Sequence, residues 1–441
     1  MITGIIDGMV MQRNALDFAE IIILSDEKIE KTEYYDGKEF FSITFEKISE
    51  GEYKLQGIPV GGPYTVFVNG RKFRNIYVGD VWILAGQSNM QGVGRLRPCD
   101  LDFTPDNTVR AFYMDGRWRS AKHPLHNAWI ENGVIHSEKI SDTLPEDKYQ
   151  GVGLGLSFAK QMKEKTGVPQ GLICTAYGGS PLLMWSPSQK ETFGQNSLYQ
   201  KMYNRVCMNG KRVAGMLWFQ GCADAFECGS EKFEERTVEF FESARKDFGF
   251  FPIIQFQIGR VVHPELEGLT ENWMKIREIQ RNLHKKVKCL YTVSSINKTL
   301  DDLIHLSADS SDELGNQAAE IMQEICGKEI FMQEISSIEL SEDKKSRMAK
   351  VTVTFSNVVG GLKADGRPCG FTVSSEAYTL QNDLVFDVKL EENRAVIYLW
   401  CSKSEAEEKY LCYGFGLNPY CNITDSKNRA ILCFGPIKLG S

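Results

Sequence analysis

Between residues 77 and about 329, five apolar runs alternate with segments of helical periodicity, and that alternation leaves few folds open. The runs occupy 81–85, 171–177, 213–220, 251–258 and 287–294. Each is short and apolar at successive positions, as a strand buried on both faces requires. Between them Phe233, Thr237, Phe240, Phe241, Ala244 and Phe248 recur at helical spacing, as do Trp273, Ile276, Ile279 and Leu283. A further helix over 152–165 should stop at the breakers Gly167 and Pro169. Strand, helix and strand repeated in this way spell βαβ units, so the expected class is α/β with a parallel sheet of five strands. The polar stretch 95–150 lacks such runs and reads as an elaborated loop over the first strand's end.

On either side the periodicity changes to two. FSITFEKI (41–48), EYKLQGI (52–58) and YTVFVNG (64–70) precede the α/β region, and AKVTVTFSNV (349–358), LVFDVKL (384–390), RAVIYLW (394–400) and AILCFGP (430–436) follow it. Alternation broken by Gly and Pro indicates β domains. The expected organisation is an N-terminal β domain over 1–76, an α/β domain over 77–329 and a C-terminal β domain over 330–441. A chain of 441 residues is long enough for three such cores.

Charge and composition exclude several classes. The net charge of -7 is spread without a basic tract, which argues against nucleic acid or an anionic membrane as partner. No run of 18 apolar residues is present to cross a bilayer. The N-terminal MITGIIDGMVMQRNALDF lacks the pattern of a secretory signal, so a cytoplasmic location is expected. The twelve cysteines form no CxxC pair and no cluster with histidine, which suits reduced thiols better than disulfides or a zinc site. Cys174 and Cys289 fall in apolar runs and should simply pack. Neither metal nor cofactor is expected, and oligomeric state leaves no mark in the sequence.

The chemistry centres on Ser88, in the GQSNM that ends the first apolar run. In an open parallel sheet the strand ends line a crevice where ligands bind, and a serine held there needs only a base. Six histidines are available, at 123, 126, 136, 263, 284 and 305. His305 follows the fifth strand in LDDLIHLSADS, and Asp302 precedes it by three residues, a spacing that lets the acid fix the imidazole tautomer. Asp301 is the less suitable acid. Two further strand ends offer donors for an oxyanion: Gly178 and Gly179 in AYGGSPLLMW (176–185), and Gln220 in WFQGCADA (218–225). Trp185 is a candidate to stack on the apolar face of a ligand, Trp218 suits the core, and His123 and His126 fall in the long loop. Each stretch also suits a plainer role: Ser88 and Asn89 as turn residues, Asp302 as a helix start, and the glycines as tight turns.

Taken in order, these motifs resemble the SGNH-type carbohydrate esterases of the sialate O-acetylesterase family. GQSNM is similar to that family's opening block, the GG of 178–179 to its second, WFQG to its WxQGE block, and D-x-x-H at 302–305 to its last. Fainter likenesses lie in IDGMVMQR near the start and in GGLKADGRPCGFTV and YGFGLNPYCNITDS near the end. Cys222 departs from the pattern, standing where the family has glutamate. The resemblance implies a flavodoxin-like α/β/α SGNH hydrolase domain with a parallel sheet, flanked by N- and C-terminal β domains. It also implies a carbohydrate O-acetylesterase with Ser88 as nucleophile, His305 as base and Asp302 as its support. The oxyanion hole would be formed by Ser88, Gly178, Gly179 and Gln220, and the substrate contacts would be Gln87, Asn89 and Trp185. The substrate would be an acetylated sugar or oligosaccharide, with acetylated xylo- or manno-oligosaccharides as alternatives to sialate. A catalytically idle sugar-binding protein and a general lipase or thioesterase are the competing classes.

Overall fold

The computed structural model describes residues 1–126, 128–131, 134–137, 150–227, 229–264, 268–325 and 332–440. Two compact units divide the chain. The first comprises Met1–Gln220, Arg236–Ile254 and His305–Gln323, and the second Gly221–Glu235, Gln255–Ile304 and Glu324–Ser441. All five expected runs are strands: Arg71–Gly86, Gln170–Cys174, Gly215–Phe219, Ile253–Gln257 and Leu290–Ser294.

The first unit is built around Arg71–Gly86, which is buried at every position from Ile76 onward. Its leading half pairs antiparallel with Gly61–Val68 and parallel with Val10–Gln12. Its trailing half lies parallel between Gln170–Cys174 and Gly215–Phe219, with Leu172 opposite Trp82 and Leu217 opposite Leu84. The sheet is therefore mixed. The expected boundary at residues 76 and 77 falls inside this one strand. Arg13 holds Asp80 through two bonds, at 2.8 and 3.0 Å, and Gln12 accepts from the Val81 N–H at 2.8 Å. The boundary expected at 329 and 330 lies outside the described residues.

The described part of the stretch 95–150 is not the loop its polarity suggests. It holds the short helix Pro98–Leu101 and the strand Val109–Phe112, which lies parallel beside Gln170–Cys174. Arg110 disguises that strand: its guanidinium is buried, donating to the Gly8 carbonyl at 2.6 Å above the Tyr77 ring. A second arginine closes the strand ends. Arg205, on the helix Leu198–Met208, donates to the carbonyls of Cys174, Phe112 and Tyr113 at 2.7 to 2.8 Å, and burial pushes its pKa down to about 10. The helix Leu154–Thr166 ends at Gly167 in a left-handed cap and sets Phe158 edge-on against Trp82, at 5.0 Å.

The second unit contains Leu290–Ser294, the helix Leu269–Asn282 and the C-terminal β structure. Glu334–Glu342, Ala349–Ser356, Arg394–Leu399 and Val385–Glu391 form one antiparallel sheet, and Phe371–Ser374, Tyr410–Tyr413 and Phe434–Lys438 form another. Val351, Val353, Ile397, Leu411 and Ile431 fill the core, the strict alternation along 349–356 sending every second side chain inward. Arg277 is wholly buried in this unit. It donates to the carbonyls of Ile258, Gly259, Gly414 and Gly416 at 2.6 to 3.2 Å. Gln257 and Cys433 exchange hydrogen bonds at 2.8 and 3.0 Å. The ten described cysteines are free, and among the described residues no helix is long and apolar enough to cross a membrane.

Candidate active site

Gly86 ends the central strand at a φ of 126°, and a side chain there would meet the Phe219 carbonyl oxygen at 2.2 Å. Only glycine fits, and it lets the chain turn straight into the single helical turn Ser88–Gln91. The Gln87 N–H donates to the Phe219 carbonyl at 2.9 Å, which ties this turn to the neighbouring strand. Ser88 opens the turn and is half-buried.

Asn89 brings a remote segment alongside. Its Oδ1 accepts from the Leu306 N–H at 3.0 Å, so the residue after the serine grips the residue after His305, 217 positions away. Gly94 backs the same segment, since a Cβ there would stand 3.1 Å from the Ala308 nitrogen and 3.2 Å from the Leu306 oxygen. Arg97 adds charge-assisted bonds to Asp309 and Asp312, in the first turns of the helix Ala308–Ile325. His305 is half-buried. Asp302 belongs to the second unit, where it is exposed and its Oδ1 accepts from the Ile304 N–H at 2.8 Å.

The glycine turn at Gly178 and Gly179 also lies beside the serine. A Cβ on Gly178 would lie at ordinary contact distance from the Ser88 Cβ, 3.6 Å, and only 2.9 Å from Gln91 Oε1. The Gly178 N–H, one of the expected oxyanion donors, donates to Gln91 Oε1 at 2.7 Å. Gly179 takes a φ of +67° with open space where a side chain would stand. Gln220 is fully buried, and its Nε2 donates to the Ser180 carbonyl at 2.7 Å, so the amide braces the glycine turn.

Trp185, expected to stack on a sugar, lies in the interior of the first unit. Its ring is completely enclosed, edge-on to Trp218 at 5.3 Å and to Phe240 at 5.9 Å, with the indole N–H on Ser180 Oγ at 3.0 Å. No face remains for a sugar. Trp218 packs in the core, stacked on Phe240 at 4.4 Å. Gln87 and Asn89, the other expected substrate contacts, are both buried. Cys222 is a buried thiol whose pKa burial lifts to about 12, so it does not supply the charge of the glutamate it replaces. Gln91 escaped the sequence reading, although its place three residues after Ser88 in one helical turn puts both on one face.

His123 and His126 are buried rather than solvated. The His126 Nδ1 meets the Gln91 carbonyl at 2.9 Å. Burial holds both imidazoles neutral, with His123 lowered to about 4 and His126 to about 3 from the ordinary 6.5. Between those values and 6.5 the unfolded chain binds more protons than the folded one, so stability falls as the pH drops through that window. Each histidine contributes about 1.4 kcal/mol per pH unit there. His126→Asn, which keeps an N–H donor toward Gln91, is expected to flatten the fall in Tm between pH 6.5 and pH 4. Melting curves across that range check this, and an unchanged slope would contradict it. The side chain of His136 lies outside the described residues.

Comparison with known proteins agrees with this architecture. The chain matches the family described as carbohydrate esterase, sialic acid-specific acetylesterase, over residues 78–324, more than half its length. No curated protein matches it. Among solved structures it is similar to a carbohydrate acetylesterase from Xanthomonas citri, with 18% identity, 98% of each chain covered and a TM-score of 0.72. It is also similar to a protein from Arabidopsis thaliana, with 23% identity, 56% of this chain and 98% of that chain covered and a TM-score of 0.44. The first of these likenesses shows a shared fold extending over nearly the whole chain. The chain therefore belongs to the sialic acid-specific acetylesterase family of carbohydrate esterases, and is a carbohydrate O-acetylesterase.

Proposed function

We propose that the acetyl group is removed through an acetyl-enzyme on Ser88. His305 takes the hydroxyl proton as Ser88 Oγ attacks the acetyl carbonyl, and Asp302 steadies the imidazolium. The oxyanion rests on the N–H groups of Ser88 and Gly179, with Gln220 bracing the turn. His305 then protonates the sugar oxygen as it leaves. Water, deprotonated by the same imidazole, attacks the acetyl carbonyl, and release of acetate returns the proton to Ser88. The observation that carries this reading is the Asn89 to Leu306 bond, which ties the chain beside His305 to the chain beside Ser88.

The α/β part over 77–329 is read as a flavodoxin-like α/β/α SGNH domain, with β domains over 1–76 and 330–441. The parallel pairings of the central strand support it. The substrate proposed is a soluble acetylated sugar or short oligosaccharide, with sialate ahead of xylo- and manno-oligosaccharides. The free thiols of the described cysteines fit a reducing, cytoplasmic setting.

Mixing the protein with 4-nitrophenyl acetate and quenching early should leave an acetyl group on the peptide containing Ser88, visible by mass spectrometry, together with a burst of nitrophenol. Label on another residue, or turnover with neither burst nor label, would refute the nucleophile. Acetyl esters should be hydrolysed faster than butyryl or octanoyl esters; the reverse order would favour a lipase or thioesterase.

A further inference from the structure

The turn beside the nucleophile is tied at three of its four residues. The Tyr177 N–H donates to the Gly86 carbonyl at 2.9 Å, and the Gly178 N–H to Gln91 Oε1 at 2.7 Å. Ser180 Oγ donates to the Tyr177 carbonyl at 2.7 Å, while the Ser180 carbonyl accepts from Gln220 Nε2 at 2.7 Å. Gly179 alone has no hydrogen-bond partner among the described residues, and open space lies where its side chain would stand. An N–H held in place by its neighbours yet left unengaged is what a developing negative oxygen requires, because no reorganisation is needed when the charge appears.

From this we infer that Gln91 is a positioning residue for the oxyanion hole. By accepting the Gly178 N–H it selects Gly179 as the second donor and holds that N–H at a fixed distance from Ser88. The inference rests on the acetyl-enzyme reading above. Three features support it. Gln91 shares one helical turn with Ser88, so its side chain ties the turn that carries the nucleophile to the glycine turn. A Cβ on Gly178 would come within 2.9 Å of Gln91 Oε1, so the contact is closely fitted. The Gln91 backbone is itself anchored, its N–H on the Gln87 carbonyl at 2.9 Å and its carbonyl against His126 Nδ1 at 2.9 Å.

The test compares the native protein with Gln91→Met, which keeps side-chain length and removes the acceptor. Steady-state hydrolysis of 4-nitrophenyl acetate and inhibition by methylboronic acid, whose serine adduct mimics the tetrahedral intermediate, are measured on both. Removal of a whole oxyanion donor costs about 100- to 1000-fold, so loosening one should lower kcat about 10- to 100-fold. KM should stay within about threefold, because the contact acts on the transition state. Affinity for methylboronic acid should fall by the same factor as kcat. Undiminished kcat, or a fall in kcat without a matching loss of boronate affinity, would overturn the inference. If Gln91→Met does not fold, Gln91→Leu, which also lacks the acceptor, takes its place under the same requirement that kcat and boronate affinity fall together. Early-quench acetylation of native Ser88 is run alongside. Its absence would defeat the acetyl-enzyme reading, whereas its presence with an indifferent Gln91 variant would defeat this inference alone.

Discussion

Ser88→Ala is expected to lower kcat on acetyl esters by about 10,000-fold or more, with KM little changed. The magnitude follows from the division of labour around the serine. Binding and the backbone N–H groups survive the substitution, so some acceleration over water remains, but the covalent route is closed. His305→Ala should be nearly as severe. The double variant should be no worse than Ser88→Ala, because a nucleophile without its base and a base without its nucleophile are equally idle. Asp302→Ala should cost less than either. Purified variants with native melting curves would be assayed on 4-nitrophenyl acetate and an O-acetylated sugar. A Ser88→Ala protein that keeps a tenth of native activity would rule out the proposed chemistry, and losses that multiply in the double variant would show that the two residues do not act together.

The second large effect concerns stability. Arg277→Met removes four donations to the carbonyls of Ile258, Gly259, Gly414 and Gly416 while roughly keeping the side chain's volume. These carbonyls are lined up on one guanidinium, which burial pushes toward a lower pKa. Each orphaned buried carbonyl costs about 1–3 kcal/mol, and partial relaxation makes the sum smaller than four times that. A loss of about 3–5 kcal/mol is expected, read as a lower denaturant midpoint for the second unit. A midpoint shift worth less than about 1 kcal/mol would mean that water or a rearranged turn replaces the guanidinium without cost.

Much of the scaffold was legible because burial on both faces of a strand writes itself as an apolar run. Residues 81–85, 213–220 and 287–294 announced their strands in this way. Val109–Phe112 did not, since Arg110 interrupts it and hydropathy does not register a guanidinium satisfied by a backbone carbonyl and an aromatic ring. At the site, Ser88 and the glycines stood out through their position at strand ends. Trp185 misled because an aromatic suits a sugar face and a core equally well, and only the surrounding Trp218 and Phe240 settle which. Gln91 and Arg205 were invisible for a different reason: both act on backbone groups far along the chain, and backbone carries no letter in a sequence.

One consequence follows from the length of the strand Arg71–Gly86. The same sixteen residues begin beside Gly61–Val68 and finish at Gly86, one residue short of Ser88, with Arg13 and Gln12 fastened near the midpoint. The front of this protein is therefore no interchangeable cassette. A cut at residue 76 would sever the beam on which the serine is mounted, and shuffling a foreign module onto that point would have to rebuild half a strand before any chemistry returned.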